Sequence, residues 1–280
     1  MYSMYIFYPA GGMGNRMRAI DSAYRFCKQH NKSFKIYWWR YPEVDVAFTD
    51  VFQPLDTVKD TYFNWVNVFD KIRRKSILGR FVLRGLEKMH ILRVLNANEY
   101  EELFKWVDAV KKGYKRDYLF HVISSFSAFD LDNMYNFQRE LFVLQDALKH
   151  KVELETVHFT EHTIGVHIRR TDNQISIEHS PLELFESRMQ RELDNNAQTT
   201  FYVASDAADV KEYFKQKFGK HVLLPTGVLN NSSQEGIKQG MVELYALART
   251  KGILGSYYSS FSTAAAMIGN IPIETVSINS

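Results

Sequence analysis

Short apolar strands alternate with amphipathic helices over the last third of the chain, and this order restricts the fold more than any other feature. Four strands are predicted, each followed by a turn or a helical pattern, at residues 163–169, 201–205, 221–225 and 252–256. Parallel strands need crossover connections, so this order predicts a parallel sheet with helices on both faces. The first crossover helix should open with a capping box, Ser180-Pro181-Leu182-Glu183, and run to about Leu193.

The first seventy residues follow the same pattern. Met4 to Tyr8 reads as a strand, a glycine turn follows, and residues 15–30 and 35–39 read as a helix and a second strand. Residues 70–150 are predicted to be mostly helical. The clearest piece there is a stripe of Phe137, Leu141, Leu144 and Leu148, with Asp132 or Asn133 as N-cap.

The chain therefore divides into two predicted Rossmann-like α/β domains. We place the first at residues 1–155, with a helical insertion, and the second at residues 156–280. One cysteine, Cys27, excludes a disulfide framework and a thiolate zinc cluster.

The strongest local motif is Gly165-Val166-His167-Ile168-Arg169-Arg170-Thr171-Asp172, at the end of a predicted strand. Strand alternation places Gly165, His167 and Arg169 on one face. Ligands bind outside the carboxyl ends of parallel strands, and paired arginines there suit a diphosphate. Two alternatives stay open, since Arg169 could pair with Asp172 or Asp206 in the core, and His167 could be a core histidine.

A second candidate is the turn Gly11-Gly12-Met13-Gly14-Asn15-Arg16, between a strand and a helix. Gly12 and Gly14 allow a ligand to approach the backbone, and the helix N-terminus favours an anion. The spacing fits neither a dinucleotide fingerprint nor a P-loop, and a tight structural turn is the alternative.

Further polar residues follow the later strands. Ser205-Asp206 ends one strand, where Asp206 could bind a ligand or cap the next helix. Glu243 lies in an apolar helical run, and either faces solvent or meets a donor pair such as the N1–H and N2–H₂ of guanine. Ser259 and Ser260 begin the last helix and could hold phosphate or ribose, or cap the helix.

Motifs for metal chemistry are weak. Asp130-Leu131-Asp132 precedes a predicted helix and does not follow an apolar strand, which favours capping. We find no HExxH, nucleophile elbow or EF-hand loop, so we expect no metal.

The motif from His167 to Asp172 closely resembles the first shared motif of the α1,6-fucosyltransferase, nodulation fucosyltransferase and protein O-fucosyltransferase superfamily. The string Tyr202-Val203-Ala204-Ser205-Asp206 resembles its second motif. The third is similar to Val242-Glu243-Leu244 together with residues 255–262, and the N-terminal glycine turn also looks like that of several members.

This resemblance implies a GT-B architecture, two Rossmann-like domains with a cleft between them, and metal-independent inverting transfer from GDP-fucose. It implies that Arg169 holds the diphosphate with support from Arg170, that His167 lies beside the nucleotide, and that Glu243 binds guanine. It further implies contacts from Ser259 and Ser260 to phosphate or ribose. Asn15 and Arg16 would face the donor sugar.

The general base is where the sequence departs from the α1,6 relatives. Asn173 stands where they have Lys, and Glu178 lies one place after the expected Glu. Asp172 and Glu178 are the candidate bases, with a solvated loop acid as the alternative for Glu178. Glu243 also stands where these relatives have Asp. These departures leave open a second function, a GT-B-like nucleotide-binding protein of weak catalysis with a regulatory role.

Positive charge is concentrated between Lys71 and Arg93, where eight Lys or Arg residues accompany the single acid Glu87, although the whole chain carries only +3. A solvated helix face is one interpretation, and peripheral contact with anionic lipid is the other. No nucleic-acid-binding motif accompanies this charge. No basic residue precedes the apolar segment at Tyr5, so we expect no signal peptide, a cytoplasmic protein and, where lipid contact occurs, the inner membrane face.

The sequence thus predicts a fucosyltransferase acting on a sugar hydroxyl of a polysaccharide or glycolipid. Its expected partners are a GDP-sugar donor and a glycan acceptor.

Overall fold

The computed structural model describes residues 3–42, 44–96, 100–112, 118–125, 137–171, 173–227 and 233–278. The chain divides into two compact units, Met1–Val143 and Leu144–Ser280, called here the N-terminal and C-terminal units. Each contains one parallel five-stranded sheet with helices. The predicted fold class, two Rossmann-like α/β domains, is confirmed.

The N-terminal sheet has the strand order β3-β2-β1-β5-β4, and every neighbouring pair is parallel. Its strands are β1 (Met4–Pro9), β2 (Ser33–Trp39), β3 (Val58–Thr61), β4 (Leu92–Leu95) and β5 (Phe120–Ser125). The expectation that residues 70–150 are mostly helical is wrong for β4 and β5. The short β4 and the buried β5 lack the polar alternation that marks a half-exposed strand.

In the described residues of this unit, five helices connect the strands: α1 (Met13–Gln29), α2 (Phe48–Val51), α3 (Trp65–Lys75), α4 (Ile77–Lys88) and α5 (Tyr100–Lys111). Phe26 of α1 and Trp106 of α5 pack on the Tyr5 ring from one face of the sheet. Val66 of α3 belongs to a second buried cluster that contains Tyr8. Helices therefore cover both faces, as parallel sheets require.

The C-terminal sheet has the order β10-β9-β6-β7-β8, again with all neighbours parallel. Its strands are β6 (Thr163–Ile168), β7 (Thr200–Ser205), β8 (Val222–Leu223), β9 (Ile253–Ser256) and β10 (Ile273–Val276). β10 was not predicted, because it is mostly exposed and its residues show no apolar alternation.

The helices of the C-terminal unit are α6 (Asp146–Glu155), α7 (Gln174–His179), α8 (Leu182–Asn195), α9 (Ala208–Phe218), α10 (Gln234–Leu247) and α11 (Ser260–Gly269). Phe185 of α8 and Phe214 of α9 share one core cluster with Val166 and Ile168 of β6. α10 packs behind the opposite face, since a Cβ on Gly165 would lie 2.8 Å from Leu247 Cδ2. The predicted alternation of β6 is confirmed.

Two local predictions are wrong. Ser180 does not cap α8, whose N-cap is Pro181, because the Ser180 hydroxyl instead donates to Val276 O at 2.6 Å and accepts from Tyr257 N. The stripe beginning at Phe137 is not one helix. It crosses a 3₁₀ turn, Arg139–Phe142, and the boundary between units before α6 begins, while Asp132 and Asn133 lie outside the described residues.

The boundary between the units falls at residue 143, whereas the sequence placed it at residue 155. α6 accounts for the difference, since it packs against α10 of the C-terminal unit. Within the part of the chain that the structure describes, no helix combines the length and apolar character needed to cross a bilayer.

Candidate functional site

The order of the C-terminal sheet marks one place for a ligand. From β6 the chain moves to β7 and β8 on one side, and then returns to place β9 on the other side. The carboxyl ends of β6 and β9 therefore flank a topological switch point, where open parallel sheets bind ligands. His167 and Arg169 lie at the end of β6, and Ser256 and Ser259 lie at the end of β9.

His167 is buried and points toward the last helix. Its ring stacks on Phe261 with centroids 4.7 Å apart, and Ser259 Oγ lies 3.3 Å from His167 Nδ1. Burial lowers the pKa of His167 to about 4, with Asp206 opposing this shift and Arg169 adding to it. The imidazole is therefore neutral at physiological pH, and suits hydrogen bonding or stacking better than proton transfer.

The backbone around Arg169 is fixed by the neighbouring strand. Ser256 Oγ accepts from Arg169 N at 3.1 Å and donates to His167 O at 3.3 Å. One buried hydroxyl thus joins the ends of β6 and β9. The Arg169 side chain is partly exposed at this edge of the sheet.

Asp206 fastens the loop after β6. Its carboxylate accepts hydrogen bonds from Arg170 N at 2.7 Å, Thr171 N at 3.2 Å and Thr171 Oγ1 at 2.7 Å. The capping alternative for Asp206 is wrong, because Ala207 is the N-cap of α9. Ser205 is also used locally, since its Oγ accepts from Ala207 N at 3.2 Å. Direct ligand contacts of Ser205 and Asp206 stay predictions.

Arg170 turns toward the protein's own backbone. Its Nη2 donates to Ser180 O at 2.6 Å and its Nη1 donates to Ile177 O at 3.4 Å. The guanidinium therefore holds the C-terminal end of α7, and burial lowers its pKa. The predicted support of a diphosphate by Arg170 stays a prediction.

α7 carries the two residues that depart from the family pattern. Asn173 is its N-cap, since Asn173 Oδ1 accepts from Ser176 N at 3.1 Å. Glu178 lies on this helix and not in a loop; it is exposed, and its Oε1 accepts from Gln174 Nε2 at 2.8 Å. Asp172, the other candidate base, lies outside the described residues. Neither candidate base is tested by these contacts.

Glu243 of α10 is buried, with only 1% of its surface exposed, so the expectation of a solvent-facing acid is wrong. Its Oε1 has no hydrogen-bond partner among the described residues. Burial raises the pKa of Glu243 to about 8, and Lys211 opposes this shift. A buried carboxylate with an unused oxygen is costly unless a ligand supplies donors.

Further polar groups surround Glu243, and the sequence analysis missed them. Gln239, one helical turn earlier, lies beside the Glu243 carboxyl group and, like Lys211, opposes the rise in its pKa, and Gly227 packs directly on the Gln239 amide. The i, i+4 spacing of Gln239 and Glu243 is the signal that could have revealed this pair. Nearby, Glu155 accepts from Tyr202 Oη at 3.1 Å and from Thr226 Oγ1 at 2.6 Å.

The glycine turn of the N-terminal unit also lies at a switch point, between β1 and β5. Gly11 has φ 77°, which requires glycine, whereas Gly12 is exposed and a Cβ there would meet nothing within 4 Å. Gly14 is buried in the first turn of α1, and Asn15 accepts from Arg18 Nη2 at 2.7 Å.

Arg16 does not lie at the surface. It is fully buried and donates from Nε to Gly11 O at 3.0 Å and from Nη2 to Trp39 O at 2.8 Å. Its guanidinium also stacks 4.5 Å from the Trp38 ring centroid. The described contacts make Arg16 a brace for the glycine turn, and its predicted position facing the donor sugar stays a prediction.

No protein-family model matches the chain, and no curated protein matches it by sequence. Solved structures do match: NodZ α-1,6-fucosyltransferase soaked with GDP-fucose aligns with a TM-score of 0.62 at 18% identity, over 98% of this chain and 95% of that one. The chain has a fucosyltransferase fold. The predicted resemblance to that superfamily is confirmed at the level of fold.

Other fucosyltransferase structures agree. A FUT1 variant of Arabidopsis thaliana in complex with GDP aligns at a TM-score of 0.63 and 15% identity, covering 98% of this chain and 70% of that one. POFUT1 in complex with GDP-fucose aligns at a TM-score of 0.57 and 10% identity, over 99% of both chains. A NodZ from Bradyrhizobium covers 98% and 95%, at a TM-score of 0.62 and 17% identity.

Proposed function

We propose that this protein is a metal-independent, inverting fucosyltransferase that uses GDP-fucose and a sugar hydroxyl of a polysaccharide or glycolipid. The observation that carries the proposal is the buried Glu243 carboxyl group with an unused oxygen, in the same unit as the switch point at Arg169. The fold supports it, since it is shared by a NodZ structure soaked with GDP-fucose and a POFUT1 structure in complex with GDP-fucose.

Guanine is the base that fits Glu243. An ionised carboxylate accepts two hydrogen bonds side by side, and guanine offers N1–H and N2–H₂ on one edge. Adenine presents an acceptor at N1, and uracil presents a single N–H between two carbonyls. The elevated pKa of Glu243, about 8, makes ionisation unfavourable until donors arrive, so guanine binding and ionisation should be linked.

Arg169 is assigned to the diphosphate. In the proposed reaction the acceptor oxygen attacks C1 of fucose while the bond from C1 to the diphosphate oxygen breaks, which inverts the configuration. Negative charge develops on the departing GDP, and a fixed cationic donor stabilises it in the transition state. The backbone around Arg169 is held on both sides. Ser256 bonds to the backbone of residues 167 and 169, and Asp206 bonds to the backbone of residues 170 and 171.

The acceptor hydroxyl must lose its proton to a base. Glu178 is the proposed base, with Asp172 as the other candidate. Arg170 supports the position of Glu178, because its bonds to the carbonyls of Ile177 and Ser180 fix the end of α7. His167 is unsuited to this step, since its pKa of about 4 makes it a weak base.

Metal independence stays a prediction. The described residues contain no group of three or more His, Cys, Asp and Glu side chains arranged to hold a metal ion. Donor turnover with and without chelator would test it directly.

The first experiment is thermal stability with GDP, GDP-fucose, GDP-mannose, UDP and ADP. A ligand at about 100-fold its dissociation constant adds about 2.7 kcal/mol, which shifts the melting temperature by several degrees. We expect stabilisation by guanine nucleotides alone. Equal stabilisation by ADP or UDP would refute the assignment of Glu243 and of the donor.

A second candidate function is nucleotide binding without efficient transfer, in a regulatory role. Two observations favour it. Glu178, the candidate base, is exposed and bonded to Gln174, and Asn173, which stands where the α1,6 relatives have Lys, serves as a helix cap. Incubation with GDP-fucose and a panel of glycans separates the two functions. Acceptor-dependent release of GDP that Glu178→Gln abolishes supports the enzyme, and guanine binding with no release under any acceptor supports the second function.

A further inference from the structure

The helix α4 presents an apolar stripe to solvent. Ile77 is 73% exposed, Leu78 75% and Phe81 66%, whereas Leu83, which faces inward, is 8% exposed. Val82 and Met89 extend the same exposed surface. Folded proteins leave few contiguous apolar surfaces of this kind without a partner.

The spacing of these residues places them on one side of the helix. Residues at positions i, i+1, i+4 and i+5, here Ile77, Leu78, Phe81 and Val82, lie on one side, and Leu83 lies on the opposite side. α4 is therefore apolar on both its inner and outer sides. Packing within the N-terminal unit explains why the inner side is apolar, but it does not explain the apolar outer side.

A basic pocket lies on the flank of α4 between the stripe and Leu83, because Arg80 and Arg84 follow Ile77 by three and seven residues. It has a volume of about 540 Å³ and is lined by residues of α3, α4 and β4: Arg73, Arg80, Leu83, Arg84, Glu87, Arg93, Val94 and Leu95. Arg80 Nε donates to Arg73 O at 3.0 Å, which joins the two helices at the pocket wall. The single acid of the pocket, Glu87, is paired with Arg93. Arg73 also lies 3.9 Å from Asp70, so the excess positive charge that suits this pocket to an anion comes from the exposed Arg80 and Arg84.

We infer that the α3–α4 hairpin docks on an anionic lipid surface, with the stripe entering the headgroup boundary and a lipid phosphate in the arginine pocket. Charge complementarity selects this occupant. The exposed side chains Lys71, Arg74 and Lys75 of α3 add positive charge to the same hairpin. An apolar stripe flanked by Lys and Arg is typical of helices that lie in the plane of a membrane.

The inference is independent of the proposed function. All its residues belong to the N-terminal unit, and lipid binding can be measured without any nucleotide. Failure of lipid binding would leave the guanine assignment intact, and loss of the guanine assignment would leave lipid binding intact.

The test is flotation of the full-length protein with vesicles of phosphatidylcholine alone, and of phosphatidylcholine with 30% phosphatidylglycerol. We expect binding to the anionic vesicles, weakened by salt, and little binding to the neutral ones. Inorganic phosphate, compared with chloride at equal ionic strength, separates two sources of the anion. Release by both salts, with phosphate the more effective because it competes for the arginine pocket, supports the inference. Release by phosphate with no effect of chloride would show a site for a free anion without a charged lipid surface, and would overturn the inference.

Two double variants divide the contributions. Arg80→Gln with Arg84→Gln should weaken binding to anionic vesicles by about 25-fold, at about fivefold for each charge. Leu78→Ser with Phe81→Ser should weaken it by more than about tenfold. All four substituted side chains are exposed, so the melting curves of both variants should stay close to that of the parent protein.

Matched controls use exposed residues of the C-terminal unit. Arg191→Gln with Lys220→Gln removes the same charge, and Leu154→Ser with Val157→Ser removes a similar apolar surface. Neither control should change vesicle binding. Equal losses in the hairpin and control variants, or no flotation of the parent protein with anionic vesicles, would overturn the inference.

Discussion

Replacing Glu243 by Gln should change how the stability of the protein depends on pH. Burial raises the pKa of this carboxyl group from 4.5 to about 8. Between these two values the folded protein binds more protons than the unfolded chain. The free energy of unfolding of the parent protein should therefore fall as pH rises through this window, and the Gln variant should lack that loss.

The size of the effect follows from the two pKa values. With 4.5 in the unfolded chain and about 8 in the folded protein, linkage gives a loss of about 4 kcal/mol between pH 5 and pH 9. For a chain of this size that corresponds to roughly 7 °C in melting temperature. The comparison must use the difference in unfolding free energy between two pH values, because the new amide N–H groups of the variant add a pH-independent contribution that this difference removes.

Urea denaturation at pH 5, 7 and 9 without nucleotide measures this difference. Glu235→Gln is the matched control, since Glu235 lies on the same helix α10 but is exposed and paired with Lys238. The control should follow the parent protein at every pH. If Glu243→Gln also follows the parent protein, Glu243 titrates normally and the argument for an unused buried carboxylate is wrong.

Other variants address the remaining parts of the site. GDP should bind up to about fiftyfold more tightly at pH 8 than at pH 6 if only the ionised Glu243 accepts guanine; a flat titration by calorimetry would contradict this. Arg169→Ala should lower kcat by at least about 10²-fold in a GDP-release assay while the melting temperature without ligand is retained, because the loss falls on the transition state; unchanged turnover would remove Arg169 from the reaction. Asp206→Asn should lower the free energy of unfolding by about 1.5–3 kcal/mol, since the carboxylate accepts three hydrogen bonds from the loop after β6. A change within 0.5 kcal/mol in urea denaturation would show that the stability of the protein does not depend on these bonds. Gly165→Ala should lower the free energy of unfolding by about 1–3 kcal/mol through overpacking, because the new Cβ would lie 2.8 Å from Leu247 Cδ2. An unchanged free energy in the same assay would show that α10 can move aside.

The fold was predictable where local patterns and tertiary packing agree. The alternation of Gly165, His167 and the apolar residues between them identified a strand buried on both sides, and the structure agrees. Ser180 shows the limit of this reasoning. Its sequence context is that of a helix cap, but its hydroxyl bonds to Val276 and Tyr257, which are far away in the chain. A local pattern contains no information about such partners.

The sequence identified residues of the candidate site, but it did not predict their contacts or their burial. Asp206 was recognised as important, yet its role as the anchor of the loop at Thr171 depends on the pairing of β6 and β7. The sequence left solvent exposure of Glu243 open and gave no indication that Arg16 is buried, yet both side chains are buried. Burial of a charged side chain depends on which helices and strands pack over it, and neither charge nor periodicity determines that.

The strand order of the N-terminal sheet affects how this unit folds during synthesis. β5 is its last strand in the chain, yet it lies between β1 and β4, and Met4 pairs with Phe120. During synthesis, β1 to β3 can associate early, while β4 has no strand to join until β5 emerges. Contacts so distant in sequence form slowly. Helix α4 precedes both strands, so on a ribosome-bound chain its inner side at Leu83, which packs toward β4 in the finished unit, is also exposed until the sheet is complete.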